Sequence, residues 1–338
     1  MLGEGLTWDP SERRLYWVDI ESCEIWSLDP ATGQTSSQKA SERVACLAPR
    51  PRGGLIVAFA SGLALYDPAT RERKDLAAFE PDNPNTRLND GRTDRQGRLV
   101  AGGFDEMEGK FVSSVVRIDQ DYRVTTLLRR IACANGICFS ADGRTMYFAD
   151  SPARTIWAYD YDDRTGAVSN RRVLNRFEDQ PGLPDGSCID AEGFIWNAQW
   201  NGRRVVRFTP DGRIDRIVPV PVLNPTCVTF GGEDLDTLYI TTARYLMTPE
   251  QIAAEPQSGA LFAIKPGVRG CPRQTVSWLM RRIRASTPKT IELISGANTK
   301  TGGCEWLEEA NYWRPSPPCS RWGQRVVHQR MNIPRRNH

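Results

Sequence analysis

Histidine is nearly absent from this chain: of 338 residues, only His328 and His338 carry an imidazole. Residues 1–270 contain none, so that stretch holds no Ser-His-Asp triad, no His-Cys pair and no His-ligated zinc. Chemistry there must rest on carboxylates, amides, Arg or Lys, or a hard cation held by oxygen. Long apolar runs are also missing. None approaches the roughly 18 residues that a membrane span requires. Met1-Leu2-Gly3-Glu4 has neither a basic nor an apolar leader character, so no secretory signal is expected. No CxxC occurs among the nine cysteines, and the closest pair, Cys133 and Cys138, is separated by four residues. Buried free thiols in a reducing, cytoplasmic setting are the expectation. There is no GxSxG, P-loop or complete GxGxxG. The acidic run Asp160-Tyr161-Asp162-Asp163 lacks the Gly and closing Glu of an EF-hand loop.

The composition is that of a soluble globular protein, with 40% apolar and 25% charged residues. The formal charge of +3 divides unevenly. Residues 271–338 carry 12 Lys and Arg against 4 Asp and Glu, a net +8, while the other 270 carry 32 against 37, a net −5. A break of this size marks a boundary near residue 270.

Within residues 1–270 one phrase recurs: an apolar strand, an Asp/Gly/Arg turn, a second apolar strand, then a third ending near Asp-Pro. It opens as Leu6-Thr7-Trp8-Asp9-Pro10, Leu15-Tyr16-Trp17-Val18-Asp19 and Ile25-Trp26-Ser27-Leu28-Asp29-Pro30, and returns to make six copies of about 40–50 residues. The strands are rich in Val, Ile, Tyr, Trp and Phe, and turn residues separate them. This period predicts an all-β, six-bladed β-propeller over 1–270 with a non-propeller tail over 271–338. Trp8, Trp17, Trp26, Trp157 and Trp196 are expected in the blade core, and Trp200 at the channel mouth. The sixth blade needs an outermost strand; either the tail supplies it or the blade is incomplete, as it would be if the start were misassigned.

Four polar turns fall at equivalent points just before the first strand of a copy: Gly3-Glu4-Gly5, Arg87-Leu88-Asn89-Asp90-Gly91, Ala134-Asn135-Gly136 and Leu183-Pro184-Asp185-Gly186. Each pairs an acid or amide with glycine, which suits close packing at a crowded axis. Glu4, Asn135 and Asp185 offer two carboxylates and an amide oxygen, a donor set for Ca²⁺, Mg²⁺ or Mn²⁺.

These turns resemble those of the regucalcin/gluconolactonase (senescence marker protein) family. So do Cys188-Ile189-Asp190-Ala191-Glu192-Gly193, Phe230-Gly231-Gly232 and Tyr239-Ile240-Thr241-Thr242-Ala243-Arg244. The wording Gly102-Gly103-Phe104-Asp105-Glu106 is nearest to bacterial arabinono- and gluconolactonases. The resemblance covers residues 2 to about 270 and implies a six-bladed propeller. It implies one divalent metal (Ca²⁺, Mn²⁺, Mg²⁺ or Zn²⁺) on Glu4, Asn135 and Asp185, with substrate contacts from Arg87, Asn89 and Glu106. The implied activity is metal-dependent hydrolysis of a sugar lactone, such as L-arabinono-1,4-lactone or gluconolactone, to the aldonic acid in sugar catabolism. With histidine lacking, Asp185 is the expected base as well as a ligand. The alternative is a non-catalytic, calcium-binding regucalcin-like protein. The expected partner is a small sugar lactone, with no nucleic acid or membrane, on a monomer or weak dimer.

Residues 271–338 match none of this. Arg281-Arg282-Ile283-Arg284, Pro315-Ser316-Pro317-Pro318 and Arg335-Arg336 show neither strand nor helix periodicity. Three readings stand: a disordered basic extension, a nucleic-acid-binding segment using Arg and aromatic stacking, or an out-of-frame product. No function is placed on the tail.

Overall fold

The strands form because their side chains alternate between two faces, and here both faces are covered. In the inner strands almost every residue is buried, as over Ala134–Phe139 and Pro225–Gly231. The fourth strand of the first five repeats is different. Gln34–Lys39 and Val168–Arg176 are mostly exposed and polar. These outer strands therefore leave little apolar pattern in the sequence.

The computed structural model describes residues 1–50, 53–272, 290–294 and 305–308. They form six antiparallel sheets, each in simple up-and-down order. The innermost strands of blades 1 to 6 are Gly3–Asp9, Val44–Pro49, Thr86–Thr93, Ala134–Phe139, Leu183–Ile189 and Pro225–Gly231. Each neighbours the next around a ring, and the sixth returns to the first. This is the expected six-bladed propeller. Six apolar clusters fill the gaps between adjacent blades, one per gap. Trp8, Trp17 and Trp196 are buried in them, and Trp26 and Trp157 pack against them.

The ring is tied shut by a Leu2–Ala243 bridge, and by Arg244 N donating to Met1 O at 3.1 Å. Blade 6 receives its fourth strand from the tail. Thr290–Ile294 pairs antiparallel with Leu261–Ile264, and Glu305–Glu308 pairs beyond it. Of the two options for completing blade 6, the tail strand is the one present, although the segment shows no strand period. The remaining tail readings, and both histidines, lie outside the described residues. Among the described residues helical structure is confined to short pieces such as the helix Pro249–Ala254, which a Thr248–Gln251 capping box starts. Among the described residues no helix is long and apolar enough to cross a membrane, and Cys23, Cys46, Cys133, Cys138, Cys188, Cys227 and Cys271 are all free thiols.

Candidate metal centre and substrate pocket

The inner strands slip register at one level of the channel. The irregularities fall between Glu4 and Thr7, Asn135 and Cys138, Pro184 and Ser187, and Pro225 and Val228. A bulge adds a residue to one strand and re-aims its side chains. Here it presents Glu4, Asn135 and Asp185 at the axis, all buried. The crowding explains the glycine that follows. A Cβ at Gly186 would lie 2.7 Å from Cys227 Sγ and 2.8 Å from its Cα, and one at Gly91 would lie 2.6 Å from Cys46 Sγ.

Most of the singled-out side chains belong to one hydrogen-bonded chain. Arg87 Nε donates to Glu106 Oε1 at 2.7 Å, and Arg87 Nη1 to Asn89 Oδ1 at 2.8 Å. Asn89 Nδ2 donates to Asn135 Oδ1 at 3.1 Å and to Ala134 O at 3.0 Å. Asn135 Nδ2 donates to Ser151 Oγ at 2.8 Å, and Ser151 Oγ to Pro184 O at 2.7 Å. The chain thus runs from Glu106 to the residue before Asp185, through three blades. Glu106 also takes a two-point ion pair from Arg43, both contacts at 2.8 Å, and Arg43 lies 3.7 Å from Glu21. Trp200 is half-buried and packs on the same apolar cluster as Tyr245. Tyr245 feels the charges of Glu106, Arg87 and Arg43, and burial raises its hydroxyl pKa.

The carboxylates are held differently. Burial, then the charge of Asp90, pushes the Glu4 carboxyl up to about 8. Asp185 is pushed well above the usual range by burial and by the charges of Glu4 and Asp90. Asp90 is raised by burial as well. Asp185 Oδ1 and Asp90 Oδ1 are buried and have no hydrogen-bond partner among the described residues. Buried carboxylate oxygens left without donors are costly unless a cation compensates them.

The residues therefore fit the divalent ion that the resemblance implies. No three Asp, Glu, Cys or His side chains converge as a ligand set among the described residues. The oxygen donors that would hold such an ion are two carboxylates, Glu4 and Asp185, with the Asn135 amide. Asp90 acts on them by charge.

The sequence reading left several members of this site without a role. Asp90 shares the acid/amide-Gly step of Glu4-Gly5, Asn135-Gly136 and Asp185-Gly186, which is the sequence signal that marks it. Ser151, Arg43, Tyr245 and Arg92 carry no such signal; only the closed ring brings them in.

A family model described as SMP-30/Gluconolactonase/LRE-like region matches residues 2–244. The 6-deoxy-6-sulfogluconolactonase of Pseudomonas putida is 36% identical over 80% of this chain and 93% of its own. The L-arabinolactonase of Azospirillum brasilense is 40% identical over 77% of this chain and 87% of its own. The crystal structure of a calcium-binding regucalcin from Agrobacterium tumefaciens superposes with a TM-score of 0.75 at 34% identity, covering 80% of this chain and 91% of that one. With the six-bladed ring, the axial acid/amide level and these likenesses together, the chain belongs to the SMP-30/gluconolactonase family.

Proposed function

We propose that this protein hydrolyses a sugar lactone of the aldonolactone class, with L-arabinono- and gluconolactone as first candidates, using one divalent metal ion. The hydrogen-bonded chain from Glu106 through Arg87 and Asn89 to Asn135 carries the reading, since it locks the substrate-side groups to the metal-side groups. Glu4, Asn135 and Asp185 would hold the ion, which when bound supplies Lewis-acid polarisation of the lactone carbonyl and of a water. Asp185 accepts the proton of the attacking water at Oδ1, the oxygen that the protein leaves without a donor. Water adds to the carbonyl carbon, the acyl bond to the ring oxygen breaks, and the proton passes to that departing ring oxygen, which becomes a hydroxyl. Arg87 and Glu106 orient the sugar hydroxyls. Asn89 spends its amide on Asn135 and Ala134 and its oxygen on Arg87, so it serves mainly as the strut between the two halves.

The test is acid release from glucono-, xylono- and L-arabinonolactone by metal-stripped protein, with Ca²⁺, Mn²⁺, Mg²⁺ or Zn²⁺ added back. A metal-dependent rate on at least one lactone is expected; no such rate on any overturns the proposal. Calcium binding without turnover would favour the non-catalytic reading, in line with the calcium-binding regucalcin it superposes on.

A further inference from the structure

One step along the inner strands from the acid level, a single cation crosses the channel. Arg92 extends from blade 3. Its Nη1 donates to Leu6 O in blade 1 at 2.5 Å. Its Nη2 donates to Ser187 O in blade 5 at 2.9 Å and to Val228 O in blade 6 at 3.3 Å. Leu6, Ser187 and Val228 hold the same position in their strands that Arg92 holds in its own, two residues after the axial acid, amide or Thr226. Among the described residues Arg92 donates to no carboxylate, and its Nε is buried without a partner. Its closest titratable neighbours include the thiols of Cys227, Cys188 and Cys138. Burial keeps these thiols protonated, so they cannot balance it. The formal charges that feel Arg92 are Asp90 and Glu4.

Arg92 Nη2 also donates to Cys227 Sγ at 3.7 Å. An arginine held by carbonyl oxygens and a neutral thiol gains little as an ion pair, while burying it is costly. The charge count shows what it does. With a cation bound and the carboxylates ionised, Glu4, Asp90 and Asp185 amount to minus three, and Arg92 reduces the pocket to minus two. The neighbouring group at the mouth, Arg43 and Arg87 against Glu21 and Glu106, balances itself.

We infer that Arg92 is the fixed counter-charge of the metal pocket, matching it to an ion of charge two, and that Asp90 sets the same balance from the opposite sign. The inference rests on the reading of Glu4, Asn135 and Asp185 as the ion's ligands. It makes both residues determinants of which ion the pocket prefers, without either touching the ion.

The experiment compares Ca²⁺ with Tb³⁺, two oxygen-seeking ions of similar size and different charge. Full-length wild type, Arg92→Gln, Arg92→Lys and Asp90→Asn are titrated with each, by calorimetry and by tryptophan-sensitised terbium emission. One unit of charge acting through a partly buried site changes the Tb³⁺/Ca²⁺ affinity ratio on the order of tenfold. Arg92→Gln should raise the ratio by about that factor and Asp90→Asn should lower it, while Arg92→Lys keeps it within about threefold. A purely structural plug would weaken both ions together. An unchanged ratio in folded Arg92→Gln and Asp90→Asn therefore overturns the inference. If Arg92→Gln does not fold, Asp90→Asn decides alone, because an unchanged or raised ratio there also overturns it. Wild type that binds neither ion removes the ligand reading itself, and with it the inference. Wild type that binds while the variants leave the ratio fixed removes only the charge matching.

Discussion

Binding a divalent ion to this pocket should expel protons, and the effect is large enough to measure directly. Without metal, Glu4 holds its proton up to about pH 8, first because it is buried and second because Asp90 faces it. A carboxylate must be ionised to serve as a ligand, so protons compete with the metal. Below pH 8 each unit of pH costs about tenfold in apparent affinity. From pH 8 to pH 6 the loss is about 50-fold, or ~2.3 kcal/mol. Asp185, also raised well above the usual carboxylate range by burial and by Glu4, should steepen this slope. The same shift sets the stability of the metal-free protein. A carboxyl raised from 4.5 to about 8 stabilises the fold fully below pH 4.5 and loses that contribution as pH rises through 8. Metal should therefore raise the melting temperature most at the alkaline end. The assay is calorimetric titration at pH 6, 7 and 8 in two buffers of different ionisation enthalpy, which counts released protons. Asp90→Asn, by removing the charge that lifts Glu4, should flatten the pH dependence. Affinity that is constant between pH 6 and pH 8, with no proton released, would refute the reasoning.

Other outcomes follow from the same geometry. Asp185→Asn should lower kcat on the best lactone by about 100-fold or more, whereas Arg87→Ala should act chiefly on KM; steady-state kinetics separate the two. Gly186→Ala should cost about 1–3 kcal/mol in urea unfolding, because its Cβ meets Cys227 backbone and sulfur within 3 Å, and should weaken metal binding through the adjacent Asp185. Phe208→Ala empties a fully buried position beside Phe177, whose ring centroid is 6.0 Å away. It should cost about 3–5 kcal/mol by the same measurement while leaving metal affinity intact.

The likeness to curated lactonases runs along most of the ring, yet the contacts that distinguish this pocket are long-range. Arg92 reaches Leu6 across 86 positions and Val228 across 136. Arg43 meets Glu106 across 63. No local pattern links such pairs. Glu106 is named only by the family resemblance, and the two arginines that donate to it, Arg43 and Arg87, lie far from it in the chain.

By itself the sequence determined the blade count, the core tryptophans, the level of the acid/amide-Gly turns and the absence of histidine from residues 1–270. These are local properties: alternation along a strand, a turn residue at a set offset, the absence of a residue type. The tertiary structure decided the rest. Outer strands such as Gln34–Lys39 face water and carry little apolar pattern, and Thr290–Ile294 is seated on blade 6 by backbone pairing. Asp90 and Arg92 acquire their meaning when six strands converge on one axis, because charge acts through space and the chain order hides which charges face one another.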